Sequence, residues 1–406
     1  MMQRAIADQL LTVLDKPGSA VILYGPRQSG KTTLMRKLLE NRSDAVSFTG
    51  DDIYTQSLLA RHELEHLKRI VGSAKVIFID EAQRIENIGL TMKLLVDHLP
   101  ITVIASGSAS FELANKVSES LTGRTRTFYL FPFAWRELAE KYRLTASETA
   151  LEEMLRFGMY PRIHTLESDQ EKEEYLYEYL NNYLYRDLLE FEQVKKPRKV
   201  IDLLVMLAHQ IGREVAVSEL ASGLGISQKT AESYLDVLEK MFVLVNVRGF
   251  SRNLRKEVTK TSRYYFVDVG LRNALIRSFT PLSLRNDAGE LFENWFVLER
   301  RKRDAIKRQF TGFYFWRTYD QREIDIVEEQ DGMITGYECK WSPLSRTSPP
   351  RDWQAAYPQA GYHVVTRENW REFLEDAPDK TINRHDAPVI QGEGTALPNH
   401  TGRVAI

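Results

Sequence analysis

At 406 residues the chain is too long for one ordinary domain, and two to four are expected. No apolar run reaches the length of a membrane span and MMQRAIADQL has no signal-peptide pattern, which predicts a cytoplasmic protein with no membrane partner. Cys339 is the only cysteine, which excludes a disulfide framework and a cysteine zinc cage, and the net charge is −1.

The first chemistry-bearing element follows a strand predicted over Ala20 to Tyr24. It reads Gly25-Pro26-Arg27-Gln28-Ser29-Gly30-Lys31-Thr32-Thr33 and opens an amphipathic helix that runs to about Leu39. Glycines here let the backbone wrap a phosphate whose charge meets the N–H groups at the helix start. Lys31 is placed for the β- and γ-phosphates of ATP and the Thr32 hydroxyl for Mg²⁺. KVIFIDEAQRI then reads as a buried parallel strand ending in Asp80 and Glu81. Asp80 suits the Mg²⁺ shell, and Glu81 suits orienting or polarising the attacking water.

A helix from Ile88 to Leu99 leads to the strand ITVIASGSAS, whose polar end carries Ser106 and Ser108 where a γ-phosphate sensor would sit. Arg124 and Arg126 come just before a fifth strand, and Arg124 is the candidate finger for a neighbouring subunit's nucleotide. Alternation of strand and helix from residue 20 to 133 predicts an α/β fold with a parallel sheet covered on both faces.

GPRQSGKTT, FIDEAQ, ASGSAS and LTGRTRTFYLFPFAWREL resemble a family of prokaryotic AAA-type ATPases. In that family the ATPase precedes a domain resembling restriction endonucleases of the PD-(D/E)xK type. The resemblance covers about residues 1 to 375. It implies a homo-oligomeric ring, with six subunits the expected number.

From Ala134 to Val194 the pattern is helical and rich in Glu, Tyr and Leu, interrupted at GMYPRI, and is most simply a lid. Arg162 and Arg186 lie within it as structural arginines, with nucleotide sensing as the alternative reading. KKPRK marks a boundary, and from Lys195 to Phe310 there are 22 Lys and Arg against 13 Asp and Glu, a local excess of +9. Three helices and a hairpin follow, a winged-helix pattern. ISQKTAESYLDVLEKM falls at the recognition helix, with Ser227 as cap and Gln228, Lys229 and Ser233 as exposed donors. The wing carries Arg248, Arg252, Arg255, Lys256, Lys260 and Arg263, suited to DNA phosphates; the alternative is a module that packs within the assembly. His209, alone on an apolar helix, reads as a core residue.

Near the C-terminus, an amphipathic helix carries Glu290 and Glu293, and REIDIVEEQ and MITGYECKW flank Asp331-Gly332, a strong hairpin signal. That register sets Asp325 opposite Glu338 and Glu323 opposite Lys340. Ile324, Ile326, Tyr337, Cys339 and Trp341 are then expected on the reverse, buried face. Facing carboxylates roughly 5 Å apart require positive charge between them. Mg²⁺, or Mn²⁺ in its place, meets that need, with Lys340 helping. The set resembles the centre of restriction-endonuclease-like folds: Glu293 is the helix acid, Asp325 and Glu338 hold the metal, and Lys340 activates water or steadies the phosphate. A surface salt bridge between Glu323 and Lys340 is the plainer alternative.

The expected organisation is an ATPase core over 1–133, a lid over 134–194, a winged helix over 195–284, a nuclease domain over 285–375 and an unstructured tail over 376–406. The functional expectation is ATP hydrolysis coupled to metal-dependent cleavage of branched or broken DNA. The alternatives are an ATP-dependent DNA-binding switch with an inactive nuclease-like domain, and an ATPase whose C-terminal half docks a protein.

Overall fold

Short apolar runs bounded by glycine or charge form the strands of the first sheet: Ser19–Tyr24 (β1), Ala45–Thr49 (β2), Val76–Asp80 (β3), Thr102–Gly107 (β4) and Thr125–Tyr129 (β5). The computed structural model describes residues 2–108, 124–185, 188, 194–251, 261–318, 320–342 and 348–375. The five strands pair in parallel in the order β2-β3-β4-β1-β5. All their carboxyl ends therefore share one edge, where ligands of open α/β sheets bind. One face packs on the helices Ala7–Leu14 and Lys31–Leu39 through Leu10, Leu34 and Met35. The other packs on Leu64–Val71 and Ile88–His98 through Leu67, Met92 and Leu95. Burial on both faces is why β1, β3 and β4 are nearly continuous in apolar residues.

The helices Trp135–Leu138, Ser147–Phe157 and Asp169–Tyr179 come next, the last continuing as a π-turn over Leu180–Leu184. They share a core with the middle segment and with most of the C-terminal segment, while Phe250, Trp316, Ile324, Val327, Ile334 and Trp353 form a smaller separate cluster. Trp370 meets Trp135 and Trp295 edge-on, with ring centroids 4.7 and 5.0 Å away. A buried Glu299–Lys302 pair ties the exit of the first sheet to this core: Glu299 accepts from the Trp135 amide at 2.6 Å, and Lys302 donates to the Phe133 carbonyl at 2.9 Å. At Gly158, where φ is +78°, a Cβ would fall 1.9 Å from Asp268 Oδ1, so only glycine fits.

The middle segment runs as the helix Pro197–His209, a short strand Glu214–Ala216 (β6), the helices Val217–Leu224 and Gln228–Lys240, and a hairpin of Leu244–Gly249 (β7) with Thr261–Phe266 (β8). Ser227 caps the second of these helices, accepting from the Thr230 amide. His209 is exposed at the end of its helix, because the apolar stripe there passes through Leu203, Leu204 and Leu207; the expectation of a core histidine is corrected.

The C-terminal segment contains the helix Ala288–Lys307 and the strands Gly312–Arg317 (β9), Glu323–Gln330 (β10), Met333–Lys340 (β11) and Gly361–Thr366 (β12). Asp331 and Gly332 both have positive φ, as a type I′ turn requires, and the pairs Ile326–Tyr337 and Gln330–Met333 follow the expected register. Parallel pairing of β7 with β9 fuses the hairpin to this segment in one seven-stranded sheet, β12-β11-β10-β9-β7-β8-β6. The tail over 376–406 lies outside the described residues.

Candidate functional site

The P-loop spans the end of β1 and the start of the helix Lys31–Leu39. Gly30 has φ +95°, and a Cβ on Gly25 would fall 2.1 Å from the Leu130 carbonyl oxygen, so both glycines are required by backbone geometry. Lys31 is buried, and its ammonium donates to the carbonyls of Gly25 at 2.7 Å and Pro26 at 2.9 Å. Behind the loop, Arg4 reaches the Ser29 carbonyl at 2.6 Å, while its Nε pairs with Glu137 at 3.0 Å. Two tyrosines of the helix Asp169–Tyr179 also hold it: the Tyr175 hydroxyl donates to Gln28 at 2.5 Å, and Tyr179 to the Arg27 carbonyl at 3.3 Å.

At the same sheet edge the Thr32 hydroxyl donates to Asp80 Oδ2 at 2.6 Å, and Ser106 donates to Oδ1 of the same carboxylate. Ser108 and Gln83 both donate to Glu81 Oε2, at 3.2 and 2.6 Å. Ser106 and Ser108 are thus buried behind the two acids and orient them. Lys31, Thr32, Thr33, Glu81, Arg27, Gln28 and Arg162 line an open cleft of about 2010 Å³. The buried Ser29 hydroxyl has no partner among the described residues, so a polar group is still wanted at the loop. These residues fit ATP with Mg²⁺. Thr32 and Asp80 would be the groups to hold the ion, which when bound would neutralise charge on the transferred phosphate.

Arg124 stands at the opposite edge of the sheet: its carbonyl accepts from the Ala20 amide at the start of β1, and its exposed guanidinium pairs with Asp97. The full length of β1 separates it from its own P-loop. Arg126 lies within β5 rather than before it. Arg186 falls outside the described residues.

The carboxylates read from the C-terminal sequence do converge, but with a partner the sequence did not reveal. Arg263, on β8 of the middle segment, is 3% exposed. Its Nη2 lies 2.7 Å from Glu323, and its Nη1 lies 3.3 Å from Glu293 and 3.6 Å from Asp325. Its guanidinium also stacks 4.7 Å from the Phe315 ring centroid. Tyr265, two residues on, donates to Glu293 at 2.5 Å, and Gly212 closes over the same carboxylate, which a Cβ there would approach to 3.4 Å. Burial works against the charge on Arg263, yet Tyr265, Glu293, Asp325 and Glu323 together hold it firmly protonated. Burial, followed by the charge of Asp325, pushes Glu293 and Glu338 above the usual carboxylate range, and burial raises Asp325.

Asp325 Oδ2 accepts from the Cys339 amide at 2.8 Å, and Lys340 turns back onto Glu338 at 2.6 Å. The alternative Glu323–Lys340 bridge does not form either: Glu323 pairs with Arg263 and Lys340 with Glu338. Among the described residues no three His, Cys, Asp or Glu side chains are grouped to hold a metal. The positive charge demanded by these acids comes from Arg263 and Lys340, and a divalent ion does not fit beside them in this arrangement. The faces also differ from expectation: a register irregularity between Ile324 and Val327 puts Ile324 with Trp353 and Val327, while Ile326 joins Tyr337 in the main core.

Of the residues read as DNA contacts, Gln228, Lys229 and Arg248 are exposed and Ser233 is half-buried. Arg252, Arg255, Lys256 and Lys260 lie outside the described residues. Arg263 is corrected: its strand turns it inward to the carboxylates, not outward to solvent. Gln83, Tyr175, Arg4 and Tyr265 are site residues that the sequence reading missed; only Gln83, inside the DEAQ run, carried a local signal.

The parallel sheet with its P-loop and acidic strand defines an AAA-type ATPase, an α/β protein that takes ATP, typically with Mg²⁺. A family model described as an AAA domain matches residues 17–139, and two described as domains of unknown function (DUF8612 and DUF4143) match 148–282 and 288–379. The chain is 31% identical over 334 residues to the uncharacterized protein Rv2008c of Mycobacterium tuberculosis, covering 81% of this chain and 71% of that one. It belongs to the family of that protein. The uncharacterized protein MJ1544 of Methanocaldococcus jannaschii is 23% identical, covering 89% of this chain and 87% of its own. Among solved structures, a STAND-type signal transduction ATPase from Pyrococcus horikoshii aligns with TM-score 0.30 and 15% identity, covering 74% of this chain and 45% of that one. AMPPCP-bound DnaA from Aquifex aeolicus aligns with TM-score 0.28 and 15% identity, over 58% and 86% of the two chains. Among the described residues no helix is long and apolar enough to cross a membrane.

Proposed function

We propose that this chain is an ATP-dependent DNA-binding switch in which the ATPase is followed by a lid over 134–194, a winged helix over 195–284 and a restriction-endonuclease-like domain over 285–375. The observation that carries the reading is Arg263: the hairpin meant for nucleic acid and the carboxylates meant for cleavage are joined by one buried guanidinium. Nucleotide-dependent movement of the lid is relayed to both through their common core. Support for DNA contact is the exposed Gln228 and Lys229 at a capped helix start, the exposed Arg248 and the basic balance of the segment. In the arrangement described, the C-terminal domain grips without cutting.

A second reading, metal-dependent cleavage by Glu293, Asp325, Glu338 and Lys340, requires Glu293 and Asp325 to be released from the Arg263 guanidinium they now face. In the ATPase, Lys31 steadies the β- and γ-phosphates, Asp80 and Thr32 hold Mg²⁺, and Glu81 orients water. Arg124 serves the site of an adjacent copy in a ring. The test is binding and cleavage of linear, flapped and junction DNAs, with and without ATP, in Mg²⁺ and in Mn²⁺. The switch reading expects ATP-sensitive binding and no cut. No measurable binding to any DNA, and no effect of DNA on ATP turnover, would sink it in favour of a protein partner.

A further inference from the structure

Where the helix Gln228–Lys240 ends, Phe242 has φ +57°. The Val243 amide donates to the Leu238 carbonyl and the Phe242 amide to the Glu239 carbonyl, both at 3.0 Å. This is a helix stop at which glycine is the usual residue, because a side chain in the left-handed region is strained. What the phenylalanine adds is its ring, which meets Tyr129 and Phe131 edge-on with centroids 6.1 and 6.2 Å away. Tyr129 ends β5 and Phe131 follows it, so the ATPase sheet and the middle segment share one aromatic wall. That wall bounds a cavity of about 580 Å³, a size that suits a small ligand. No residue lining it also lines the cleft around Lys31.

The rest of the lining is mixed. Phe313 of β9 contributes a further ring, with the Arg301 guanidinium 5.0 Å from its centroid. Three lining side chains hold buried polar atoms with no partner among the described residues: the Asn246 carbonyl oxygen, Asp304 Oδ2 and Arg301 Nε. The Asn246 amide donates to the Tyr264 hydroxyl at 3.4 Å, and Asp304 Oδ1 accepts from Arg303 at 3.1 Å. The groups left over are therefore two acceptors and one donor, and leaving them unpaired is costly. We propose that this cavity binds a purine nucleoside. A purine base presents a flat face to the rings, an exocyclic amine to the two acceptors, and acceptor atoms on its edge to the arginine. A hydrocarbon would leave all three polar atoms unpaired, and a sugar alone has no face to stack. The site stands apart from the DNA reading, since its occupant is a free nucleoside. Its walls belong to the ATPase sheet on one side and to the seven-stranded sheet on the other, so the bound base would touch both.

Equilibrium dialysis of radiolabelled adenosine and guanosine against the full chain tests this, with AMPPCP and Mg²⁺ saturating the ATP cleft. At least one of the two is expected to bind with Kd below about 1 mM. Purine riboside keeps the rings but lacks the amine, and should bind about tenfold more weakly. Phe242→Gly removes a stacking face while supplying the residue that the helix stop favours, and should weaken the amine-bearing nucleoside about tenfold. Failure of both nucleosides to bind, purine riboside binding as tightly as they do, or unchanged affinity in Phe242→Gly each overturns the site. Should Phe242→Gly fold poorly, photolabelling of the unaltered chain with the 8-azido derivative of the nucleoside that binds decides. Label on peptides carrying Tyr129, Phe242 or Phe313, displaced by excess nucleoside, supports the site. Label only elsewhere, or none that excess nucleoside displaces, overturns it.

Discussion

The Tyr175 hydroxyl donates to Gln28 at 2.5 Å, a contact that spans from the helix Asp169–Tyr179 to a P-loop residue with φ +58°. A residue held in the left-handed region needs its surroundings to keep it there. Tyr175 is therefore expected to preorganise the loop for nucleotide. Tyr175→Phe removes one hydrogen bond, a loss of about 1 kcal/mol, so KM for ATP should rise about fivefold while kcat is retained. Steady-state ATPase assays separate the two; an unchanged KM with a lower kcat would place Tyr175 in the chemical step instead.

Gln83 holds Glu81 from the side, at 2.6 Å, and is itself buried. With Glu81 as the proposed water-orienting group, Gln83→Leu should lower the hydrolysis rate about tenfold or more, as loss of an oriented polar group does. Binding of a fluorescent ATP analogue should be unchanged. Lys31→Ala is the reference: hydrolysis should fall about a hundredfold or more, and hydrolysis at the parental rate there would overturn the assignment of the nucleotide site.

How much of this was legible depended on distance along the chain. Phosphate binding needs a continuous run of backbone, so Gly25 to Thr32 announced themselves, and the turn Asp331-Gly332 fixed the β10–β11 register locally. Arg263 is 60 residues from Glu323 and 30 from Glu293, and a basic residue on a hairpin reads as a surface group unless its partner is known. The same holds for β7 beside β9, a parallel pairing with no local signal. The irregularity in β10 that separates Ile324 from Ile326 has no glycine or proline to mark it. Contiguous chemistry could be read; the modules' joint could not.

Arg124 cannot reach the P-loop of its own chain, since it lies at the amino-terminal edge of the sheet and Lys31 beyond the carboxyl edge. If it completes a neighbour's site, Arg124→Ala and Lys31→Ala should each be inactive alone yet recover activity on mixing. In a mixed ring some wild-type P-loops then face wild-type arginines. Recovery of about a quarter of the wild-type rate is the random-mixing expectation for a pairwise site. No recovery, with the mixed oligomer confirmed by light scattering, removes Arg124 from the active interface.

His164 is 5% exposed, its Nδ1 3.2 Å from the Tyr142 hydroxyl, and its pKa is lowered to about 3 by burial first and then by Lys141, Lys172 and Lys302. Unfolded histidine titrates near 6.5. Between those values the unfolded chain takes up a proton that the native chain refuses, so stability falls as pH falls through this window and is untouched above it. The loss from this one group is about 1.4 kcal/mol per pH unit, or roughly 2 kcal/mol on going from pH 7 to pH 5. His164→Gln keeps a polar partner for Tyr142 but cannot charge. Urea unfolding followed by tryptophan fluorescence, which reports on Trp135 in the same core, should show the wild type losing about 2 kcal/mol more than the variant over that interval. Parallel losses in the two proteins would mean that His164 is protonated in the native core after all.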